Sequence, residues 1–308
     1  MLKGILFRWG FSGLLLVALS AGAADFSVAT YNVETYLDQP TATRPEVKSA
    51  EAKAKIRESI RAMHPDVLAL EEMGTTNALL ELRASLKAEG EDFPYWEYIV
   101  GADPDIHVAI LSKLPIVSRH PHTNDDFLLD GQRFSVKRGF AEVELRAGTN
   151  FTFTVIAAHL KSRRTTDAAD ESALRLAEAK VLRGIVTARL TANPQAKIIV
   201  LGDFNDVKNS ESTKALIGRG KLKLTDTRPA ERNGDNLPNP ISRYEPRNVT
   251  WTHYYGVEDS YSRIDYILIS PAMKQFWAPS ETYIPTIPNW GIGSDHRPIV
   301  AGFRAGEN

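Results

Sequence analysis

The chain has 308 residues, of which 43% are hydrophobic and 24% are charged, and its formal net charge at pH 7 is -1. This composition excludes a disordered or fibrous chain, and the nearly balanced charge excludes a protein that coats nucleic acid through net charge alone. With no cysteine, the chain has neither disulfides nor a thiol for a lipid anchor. Its core must therefore be large enough to stabilise the fold unaided.

The N-terminal segment has the pattern of a cleaved secretory signal. Lys3 and Arg8 precede an apolar stretch that ends in small residues at 20–24. The stretch is shorter than the roughly 20 residues that span a bilayer, which argues against the alternative of a membrane anchor. We therefore expect residues 1–24 to be a signal peptide and the mature protein to be periplasmic or secreted, without a stable membrane anchor. Residues 25–308 are expected to form a single domain.

Local sequence patterns predict strands, helices and one loop along the mature chain. In chain order they are a strand at 26–32, a helix at 46–63, strands at 66–71, 106–111, 140–145 and 151–158, a helix at 171–190, a strand at 197–201, an exposed loop at 230–248, and strands at 263–269 and 298–303. The strands are mostly rich in Val and Ile, and the loop is rich in Pro, Asn, Arg and Gly.

The two predicted helices each have one apolar face. This face carries Ile56, Ile60 and Met63 in the first helix. In the second helix it carries Leu174, Val181, Ile185 and Ala188. A short turn segment separates the strands at 140–145 and 151–158, which indicates antiparallel pairing in part of the sheet. We predict an α+β fold in which two mixed sheets pack together with helices outside.

Five apolar, strand-like runs each end in an acid, an amide or an imidazole, and a sixth run places an acid inside a strand. The polar residues of these runs are Asn32, Glu71, Glu72, His159, Asp203, Asn205, Asp265, Asp295 and His296. Each one alone has an ordinary explanation, such as a turn, a helix cap or an ion pair of Asp265 with Arg263. Together they indicate one site, because a charge near a core is costly unless it has a partner or a metal.

Three of these segments are specific in combination: Gly202-Asp203-Phe204-Asn205, Arg263-Ile264-Asp265-Tyr266 and Ser294-Asp295-His296-Arg297-Pro298. The whole series resembles the ordered motifs of the endonuclease/exonuclease/phosphatase superfamily, the deoxyribonuclease-I-like metal-dependent phosphoesterases, over nearly the entire mature chain. The resemblance implies a four-layer α/β/β/α sandwich. It also implies hydrolysis of phosphate esters with Mg²⁺, or with Mn²⁺ or Ca²⁺ in its place.

The resemblance further implies a role for each matching residue. The metal ligands would be Asn32, Glu72 and Asp295. The catalytic residues would be His159, Asp203, Asn205, Asp265 and His296. Glu71 stands where many relatives carry Gln, and alternation along a strand should let only one of the two adjacent acids face the cleft. We place the metal ligand at Glu72.

The chemistry of phosphodiester cleavage gives these residue types distinct tasks. Hard oxygen ligands suit Mg²⁺. His296, its tautomer set by Asp265, would be a general base or a phosphate-binding cation. Asp203 would orient the attacking water, Asn205 would donate to a phosphate oxygen, and His159 would serve the leaving group or a non-bridging oxygen.

Other charged residues near the motifs are weaker candidates. Phosphate binding is predicted for Asn205, Arg138, Lys161 and Arg163, with Lys137 and Arg164 nearby; the alternative is that the basic residues form a solvated surface. Asp105 is a candidate to orient His159. The remaining histidines are expected to be structural or on the surface: His64, His107, His120, His122 and His253.

The substrate stays open between three kinds of phosphate ester. A nuclease is favoured by the basic residues that follow His159, so nucleic acid is the expected partner. A sphingomyelinase-type phospholipase would need exposed aromatic residues, for which Trp290 is a single candidate. A phosphatase of a small phosphorylated substrate is the third. A binding protein with a decayed site is a different class, and the retention of every matched group argues against it. No protein partner is indicated.

Overall fold

The structure is a computed structural model that describes residues 25–232 and 248–305. The predicted signal peptide and most of the predicted loop at 230–248 lie outside these residues. The strands are β1 (Phe26–Tyr36), β2 (Val67–Met73), β3 (Tyr95–Ile99), β4 (His107–Ser112), β5 (Ile116–Arg119), β6 (Asp126–Leu129), β7 (Gln132–Ser135), β8 (Phe140–Ala147), β9 (Phe151–His159), β10 (Ile198–Asp203), β11 (Thr225–Asp226), β12 (His253–Tyr255), β13 (Ser260–Ser262), β14 (Asp265–Ile269), β15 (Trp277–Tyr283) and β16 (Ile299–Phe303).

The helices are α1 (Ala50–Met63), α2 (Thr76–Ala88), α3 (Glu171–Ala192) and α4 (Glu211–Ile217), with short 3-10 helices at Gly220–Leu222, Lys274–Phe276 and Trp290–Ile292. No helix in residues 25–232 and 248–305 is long and apolar enough to cross a membrane.

Two six-stranded mixed sheets form the centre of the molecule. The first has the order β15-β16-β1-β2-β4-β3, and the second has the order β11-β14-β10-β9-β8-β5. In the first sheet β1 and β2 are parallel, and in the second β9 and β10 are parallel; the other named pairs in both sheets are antiparallel. The mixed character predicted from the sequence is confirmed.

Three apolar cores separate four layers. One core lies between the two sheets and includes Val28, Val108 and Val155. A second core packs α1 and α2 on the first sheet, and a third packs α3 and α4 on the second. Burial on both faces explains why the central strands are continuous apolar runs. The α/β/β/α sandwich is confirmed.

The helices differ from their prediction in extent and in facing. The first begins at Ala50, not at 46, because the Ser49 hydroxyl caps it by accepting from the backbone N–H of Ala52. In α3 the row that packs in the core is Ala179, Leu182, Val186 and Leu190, while Val181 and Ile185 are only partly buried and Ala188 is exposed. Val181 and Ile185 pack against the edge of this core, and Leu174 of the predicted face is buried.

The two parallel strand pairs decide where the motifs meet. The carboxyl ends of parallel neighbours lie at the same edge of a sheet, so Asp203 at the end of β10 is paired with His159 at the end of β9. Across the antiparallel neighbour, Asp203 also pairs with Asp265, the first residue of β14. In the other sheet Asn32 pairs with Glu71. The polar strand ends of both sheets therefore lie along one edge of the sandwich.

Candidate active site

Asp203 lies at the centre of a buried polar cluster. Its Oδ2 is 3.6 Å from Nε2 of His159 and 3.7 Å from Nε2 of His296. The same oxygen accepts a hydrogen bond from Nδ2 of Asn32 at 3.0 Å, and Oδ1 accepts from the backbone N–H of Asn205 at 2.8 Å. Burial raises the pKa of Asp203 to about 7, and the nearby His296 opposes this rise.

The two histidines beside Asp203 have opposite electrostatic environments. Burial alone would lower the pKa of His296, but the charges of Asp265 and Asp203 outweigh it and raise that pKa well above the usual range. The Nδ1 atom of His296 lies 2.9 Å from Oδ2 of Asp265. Burial lowers the pKa of His159 well below its usual range, and the positive charge of Arg138 lowers it further. The surroundings therefore favour a proton on His296 and the neutral imidazole at His159.

The predicted orientation of His159 by Asp105 is wrong. Asp105 forms an ion pair with Arg44 at 3.0 Å and accepts from the hydroxyl of Thr43. Within residues 25–232 and 248–305, Nδ1 of His159 has no hydrogen-bond partner. A loop residue that sequence analysis did not select, Arg44, competes for the Asp105 carboxylate because its guanidinium carries a permanent charge.

Asn205 is positioned by the tight turn that follows β10. Its φ of 55° is left-handed, a conformation that Asn tolerates better than most residues. Its Nδ2 donates to the carbonyl of Leu160 at 3.0 Å and to Oδ2 of Asp203 at 3.1 Å. Just before the turn, Gly202 has a φ of 133°, and a Cβ there would lie 1.9 Å from the carbonyl oxygen of Ala158. Glycine is required at this position.

The two adjacent acids after Leu70 lie at different depths. Glu71 is fully buried and accepts from the hydroxyl of Thr30 at 2.7 Å. The Glu72 side chain is 21% exposed, lies 3.9 Å from Nε2 of His159 and accepts from Nδ2 of Asn32 at 3.3 Å. Strand alternation does not produce this arrangement, because Glu72 has a left-handed φ of 63°. That backbone turn directs Glu72 towards the cleft while Glu71 lies beneath it.

The predicted metal ligand Asn32 has its amide oxygen occupied. Oδ1 accepts from the backbone N–H of Glu34 at 2.9 Å, and Nδ2 faces Glu72 and Asp203. In this arrangement the amide presents a donor to the two carboxylates, whereas metal binding needs its oxygen. Its assignment as a ligand stays a prediction.

A lysine that sequence analysis did not select lies among the acids of the cleft. The side chain of Lys48 is only 8% exposed, and its ammonium lies 3.4 Å from Oε2 of Glu34 and 2.7 Å from the carbonyl oxygen of Gly293. Glu72 and Asp295 also act on it electrostatically. The carboxylates of this region thus already surround a positive charge. Their hard oxygen donors fit a divalent cation such as Mg²⁺.

His253 lies beside the site, a position that sequence analysis did not predict. It was expected to be structural or on the surface, yet its ring centroid lies 4.7 Å from that of His296 and its Nε2 lies 3.5 Å from Oδ2 of Asp295. The only sequence signal is an aromatic-rich stretch, 251–261, just before the Arg-Ile-Asp-Tyr segment. The other four histidines named with it lie outside this cluster.

Two groups of possible ligand atoms lie within 4.8 Å of one another in the described part of the chain. One comprises Asp203, Asp265 and His296, and the other comprises His253, Asp295 and His296. Glu72 belongs to neither group. The structure therefore gathers nitrogen and oxygen donors around His296. Glu72 is linked to these donors through Asn32, whose Nδ2 contacts both Glu72 and Asp203.

The predicted phosphate-binding residues border the site unequally. Arg138 is buried and forms an ion pair with Asp103 at 3.2 Å. The ammonium of Lys161 donates to the carbonyls of Ser162 and Arg164, so it holds its own loop together. Arg163 is 49% exposed, and its Nε donates to the carbonyl of Asn205 at 3.2 Å.

Aromatic and apolar side chains are exposed on the hairpin of β12 and β13. Tyr255, Val257 and Tyr261 are 45%, 83% and 58% exposed. Trp290, the aromatic residue selected from the sequence, instead packs against Trp251 with ring centroids 5.4 Å apart. Two further exposed apolar side chains, Val207 and Ile292, adjoin the motifs that carry Asn205 and His296.

Solved structures with the same fold come from several kinds of protein. Sphingomyelinase C from Streptomyces griseocarneus has a TM-score of 0.62 and 18% identity over 91% of this chain and 100% of its own. The human nocturnin catalytic domain with bound sulfate has a TM-score of 0.60 and 17% identity over 91% and 94%. Beta toxin from Staphylococcus aureus with bound magnesium ions has a TM-score of 0.59 and 18% identity over 91% and 100%. At such identities the likeness shows the fold.

Sequence comparison identifies the family. No curated protein gives a significant match to the chain. The profile described as "Endonuclease/Exonuclease/phosphatase family" matches residues 29–296, a span that includes every strand-end motif from Asn32 to His296. The chain therefore belongs to the Endonuclease/Exonuclease/phosphatase family and is a phosphoesterase.

Proposed function

We propose that the protein is an exported, Mg²⁺-dependent phosphodiesterase whose substrate is nucleic acid, with residues 25–308 as its single domain. The observation that carries the proposal is the pair of imidazoles that lie 3.6 and 3.7 Å from the same oxygen of Asp203, with pKa values shifted in opposite directions. A phosphodiester needs both a group that activates water and a group that supplies a proton or positive charge to the departing oxygen. Asp203 and the His296 imidazole beside it offer both at once.

The chain's own residues account for the reaction as follows. Asp203, ionised above its pKa of about 7, orients the water and accepts its proton. The cationic His296, held by Asp265, donates to the phosphate or to the leaving oxygen. The neutral His159, with Nε2 3.6 Å from Oδ2 of Asp203, would contact a non-bridging phosphate oxygen or the leaving oxygen.

Charge neutralisation at the phosphate is divided between a bound cation and basic side chains. Glu72 and Asp295, with Asn32 as the third predicted ligand, would hold Mg²⁺, which supplies Lewis-acid polarisation of the phosphate when bound. The magnesium ions in the beta toxin structure make Mg²⁺ the first cation to test. Arg138 and the amide of Asn205 would bind phosphate oxygens in place of their present bonds to Asp103 and to the carbonyl of Leu160.

Exposed arginines favour a polymeric anion over a small phosphate. Arg163 and Arg164 are both exposed and follow His159 by only a few residues. Nε of Arg163 also donates to the backbone carbonyl of Asn205, in the turn after β10. A substrate with phosphates beyond the scissile one would contact these side chains. A small phosphorylated substrate would leave them unused.

A second candidate is a lipid phosphodiesterase of the sphingomyelinase type. The exposed hairpin residues Tyr255, Val257 and Tyr261 favour it, since apolar side chains beside a site can enter a membrane interface. The fold shared with sphingomyelinase C does not decide the substrate.

The experiment that tests the function uses purified mature protein and a substrate panel. A bis-aryl phosphodiester with Mg²⁺, with and without excess chelator, tests the reaction and its metal dependence, with His296→Ala as the inactive control. Plasmid DNA, single-stranded DNA, RNA, sphingomyelin vesicles and sugar phosphates then decide the substrate. Intact nucleic acids beside hydrolysed lipid or sugar phosphate would contradict the nuclease assignment.

Export is tested separately. Expression of the full chain in a bacterium, followed by N-terminal sequencing of the periplasmic and secreted protein, should find a chain that starts near residue 24 or 25. Recovery of the intact N-terminus in the cytoplasm would contradict export without affecting the proposed chemistry.

A further inference from the structure

The position of His253 is fixed by backbone bonds to the strand-end motif at 295–297. The N–H of Tyr254 donates to the carbonyl of Asp295 at 3.0 Å, and the N–H of Arg297 donates to the carbonyl of Thr252. His253 and His296 face each other as an isolated antiparallel bridge. The His253 side chain is 17% exposed, so solvent reaches it. The imidazole is thus held at the mouth of the site with limited freedom.

Three possible ligand atoms converge there. Nε2 of His253 lies 3.5 Å from Oδ2 of Asp295, and Nε2 of His296 lies 3.9 Å from Oδ1 of the same carboxylate. In a tetrahedral zinc site with bonds of roughly 2.1 Å, neighbouring ligand atoms are about 3.4 Å apart. The two observed separations, which involve different oxygens of Asp295, lie within about 0.5 Å of that spacing.

The surroundings of His296 match those of a metal-bound histidine. Its Nδ1 is hydrogen-bonded to Asp265 at 2.9 Å, which leaves Nε2 available as the metal ligand. A carboxylate behind a ligating imidazole fixes the ring and increases its basicity. Two imidazoles and one carboxylate suit Zn²⁺, Co²⁺ or Mn²⁺ better than Mg²⁺, which prefers oxygen ligands.

We propose that His253, Asp295 and His296 form a binding site for a zinc-like transition-metal ion that overlaps the proposed catalytic site, and that its occupation inhibits the enzyme. The ion would displace the proton from Nε2 of His296, the atom that faces Asp203, and release it to solvent. It would also take an oxygen of Asp295, which the proposed function assigns to Mg²⁺. Zinc would thus remove two groups that the reaction needs. The inhibitory consequence rests on the proposed function, whereas the binding site itself does not.

Binding is tested on the chelator-stripped, full-length mature protein without any substrate. Calorimetry with Zn²⁺ in the presence of excess Mg²⁺ measures affinity, and the visible absorption of Co²⁺ reports coordination by nitrogen and oxygen. His253→Gln should weaken Zn²⁺ binding by at least about tenfold, since even groups that only support a ligand contribute this much. His120→Gln is the matched control, because His120 is exposed and lies beside Ser118 on a different part of the chain.

A second variant keeps the test decisive if the glutamine variant folds poorly. His253→Cys replaces the imidazole with a thiolate ligand, and the wild-type chain has no cysteine. Co²⁺ bound to this variant should therefore show a thiolate charge-transfer band in the near ultraviolet that arises from position 253 alone. A Cys variant that binds Co²⁺ without this band would overturn the proposal.

Inhibition is measured as the fraction of each variant's own zinc-free rate at saturating Mg²⁺. The zinc concentration for half inhibition should rise by at least about tenfold in His253→Gln, in parallel with the binding constant, and stay unchanged in His120→Gln. Equal zinc affinity in wild type and His253→Gln would overturn the site. If the protein binds zinc through His253 but cleaves no phosphodiester, the site stands and the proposed function fails.

Discussion

Nδ2 of Asn32 donates to Oδ2 of Asp203 at 3.0 Å and so joins the ends of β1 and β10, strands of two different sheets. The same nitrogen lies 3.3 Å from Oε1 of Glu72. One amide therefore connects the acid proposed to bind metal with the acid proposed to accept a proton. The protonation of Asp203 depends on this link, because the hydrogen bond lowers its pKa against the effect of burial.

Asn32→Ala should shift the pH dependence of the reaction to higher pH. The rate is expected to rise as Asp203 ionises through a pKa of about 7. Loss of the Asn32 donor removes a hydrogen bond that stabilises the ionised form of Asp203. The pKa of Asp203 therefore rises, and the rate increases only at a higher pH. A hydrogen bond to a charged group contributes roughly 1.5–3 kcal/mol, so the ratio of kcat/KM at about pH 9 to that at about pH 6 should increase at least about tenfold.

The measurement is kcat/KM for an aryl phosphodiester across this pH range at saturating Mg²⁺. His120→Gln, remote from the site, serves as the control and should retain the wild-type profile. A uniform loss of activity at every pH in Asn32→Ala would instead mean that Asn32 does not act through Asp203.

Glu72→Ala should raise the Mg²⁺ concentration needed for half-maximal activity by at least about tenfold, as expected for loss of a metal ligand. Glu71→Gln should change it far less, because Glu71 is fully buried beneath the cleft. Activity titrated with Mg²⁺ after chelator treatment gives both values. If the two substitutions behave in reverse, the metal ligand is Glu71.

Glu71→Gln should also stabilise the metal-free protein at neutral pH. Burial raises the pKa of Glu71 well above its usual range, and Asp265 and Asp203 raise it further. An acid whose pKa is higher in the folded state than in the unfolded state stabilises the fold fully below the unfolded-state pKa, which is about 4.3 for Glu. This stabilisation is lost as the pH rises from there through the folded-state pKa. Glutamine stays neutral and can still accept from the Thr30 hydroxyl.

Calorimetric melting in excess chelator tests whether Glu71→Gln raises the stability at neutral pH. The melting temperature of Glu71→Gln should exceed that of the wild type at about pH 8 by a few degrees, since about 1 kcal/mol corresponds to roughly 2–4 °C in a domain of this size. The difference should shrink or disappear at about pH 4. A pH-independent difference would show that Glu71 ionisation does not affect folding.

The double variant Arg163→Gln/Arg164→Gln should raise KM for DNA while barely changing hydrolysis of an aryl phosphodiester. Both arginines are exposed on the loop after His159. Each phosphate contact that is lost should reduce the slope of log affinity against log salt concentration by about 0.9. Lys87→Gln, exposed at the end of α2, is the control. Equal loss on both substrates would argue that the arginines only support Asn205.

Gly202→Ala should destabilise the fold by about 3 kcal/mol or more, because the new Cβ would overlap the Ala158 carbonyl and the left-handed φ disfavours a side chain. Gly184→Ala in α3 is the matched control. A Cβ there meets nothing within 4 Å, and alanine favours a helix by up to about 1 kcal/mol. Denaturant unfolding should move the two midpoints in opposite directions, and a Gly202→Ala midpoint equal to that of the wild type would contradict the close approach.

Several residues that the folded site brings together left no trace in the local pattern. Lys48, Glu34 and Arg44 come from the segment around β1 and its following loop, and His253 comes from a short hairpin strand. Surface loops and three-residue strands have too few apolar residues to show a periodicity, and their side chains reach the site only through long-range pairing. The helix α2 and the strand β3 were also not predicted, although α2 buries Ala78, Leu79, Leu82 and Leu86 at helical spacing.

The sequence by itself determined the family, the two mixed sheets, and the strand ends that carry Asp203, Asp265 and His296. The strand ends could be recognised because a charge that directly follows a buried apolar run is costly unless it has a partner or a metal. Tertiary structure alone decided which charges meet. Strand pairing placed Asp203 between two imidazoles, and the left-handed turn at Glu72 separated it from Glu71. Those outcomes depend on contacts between distant segments and on single backbone angles, neither of which is encoded in local spacing.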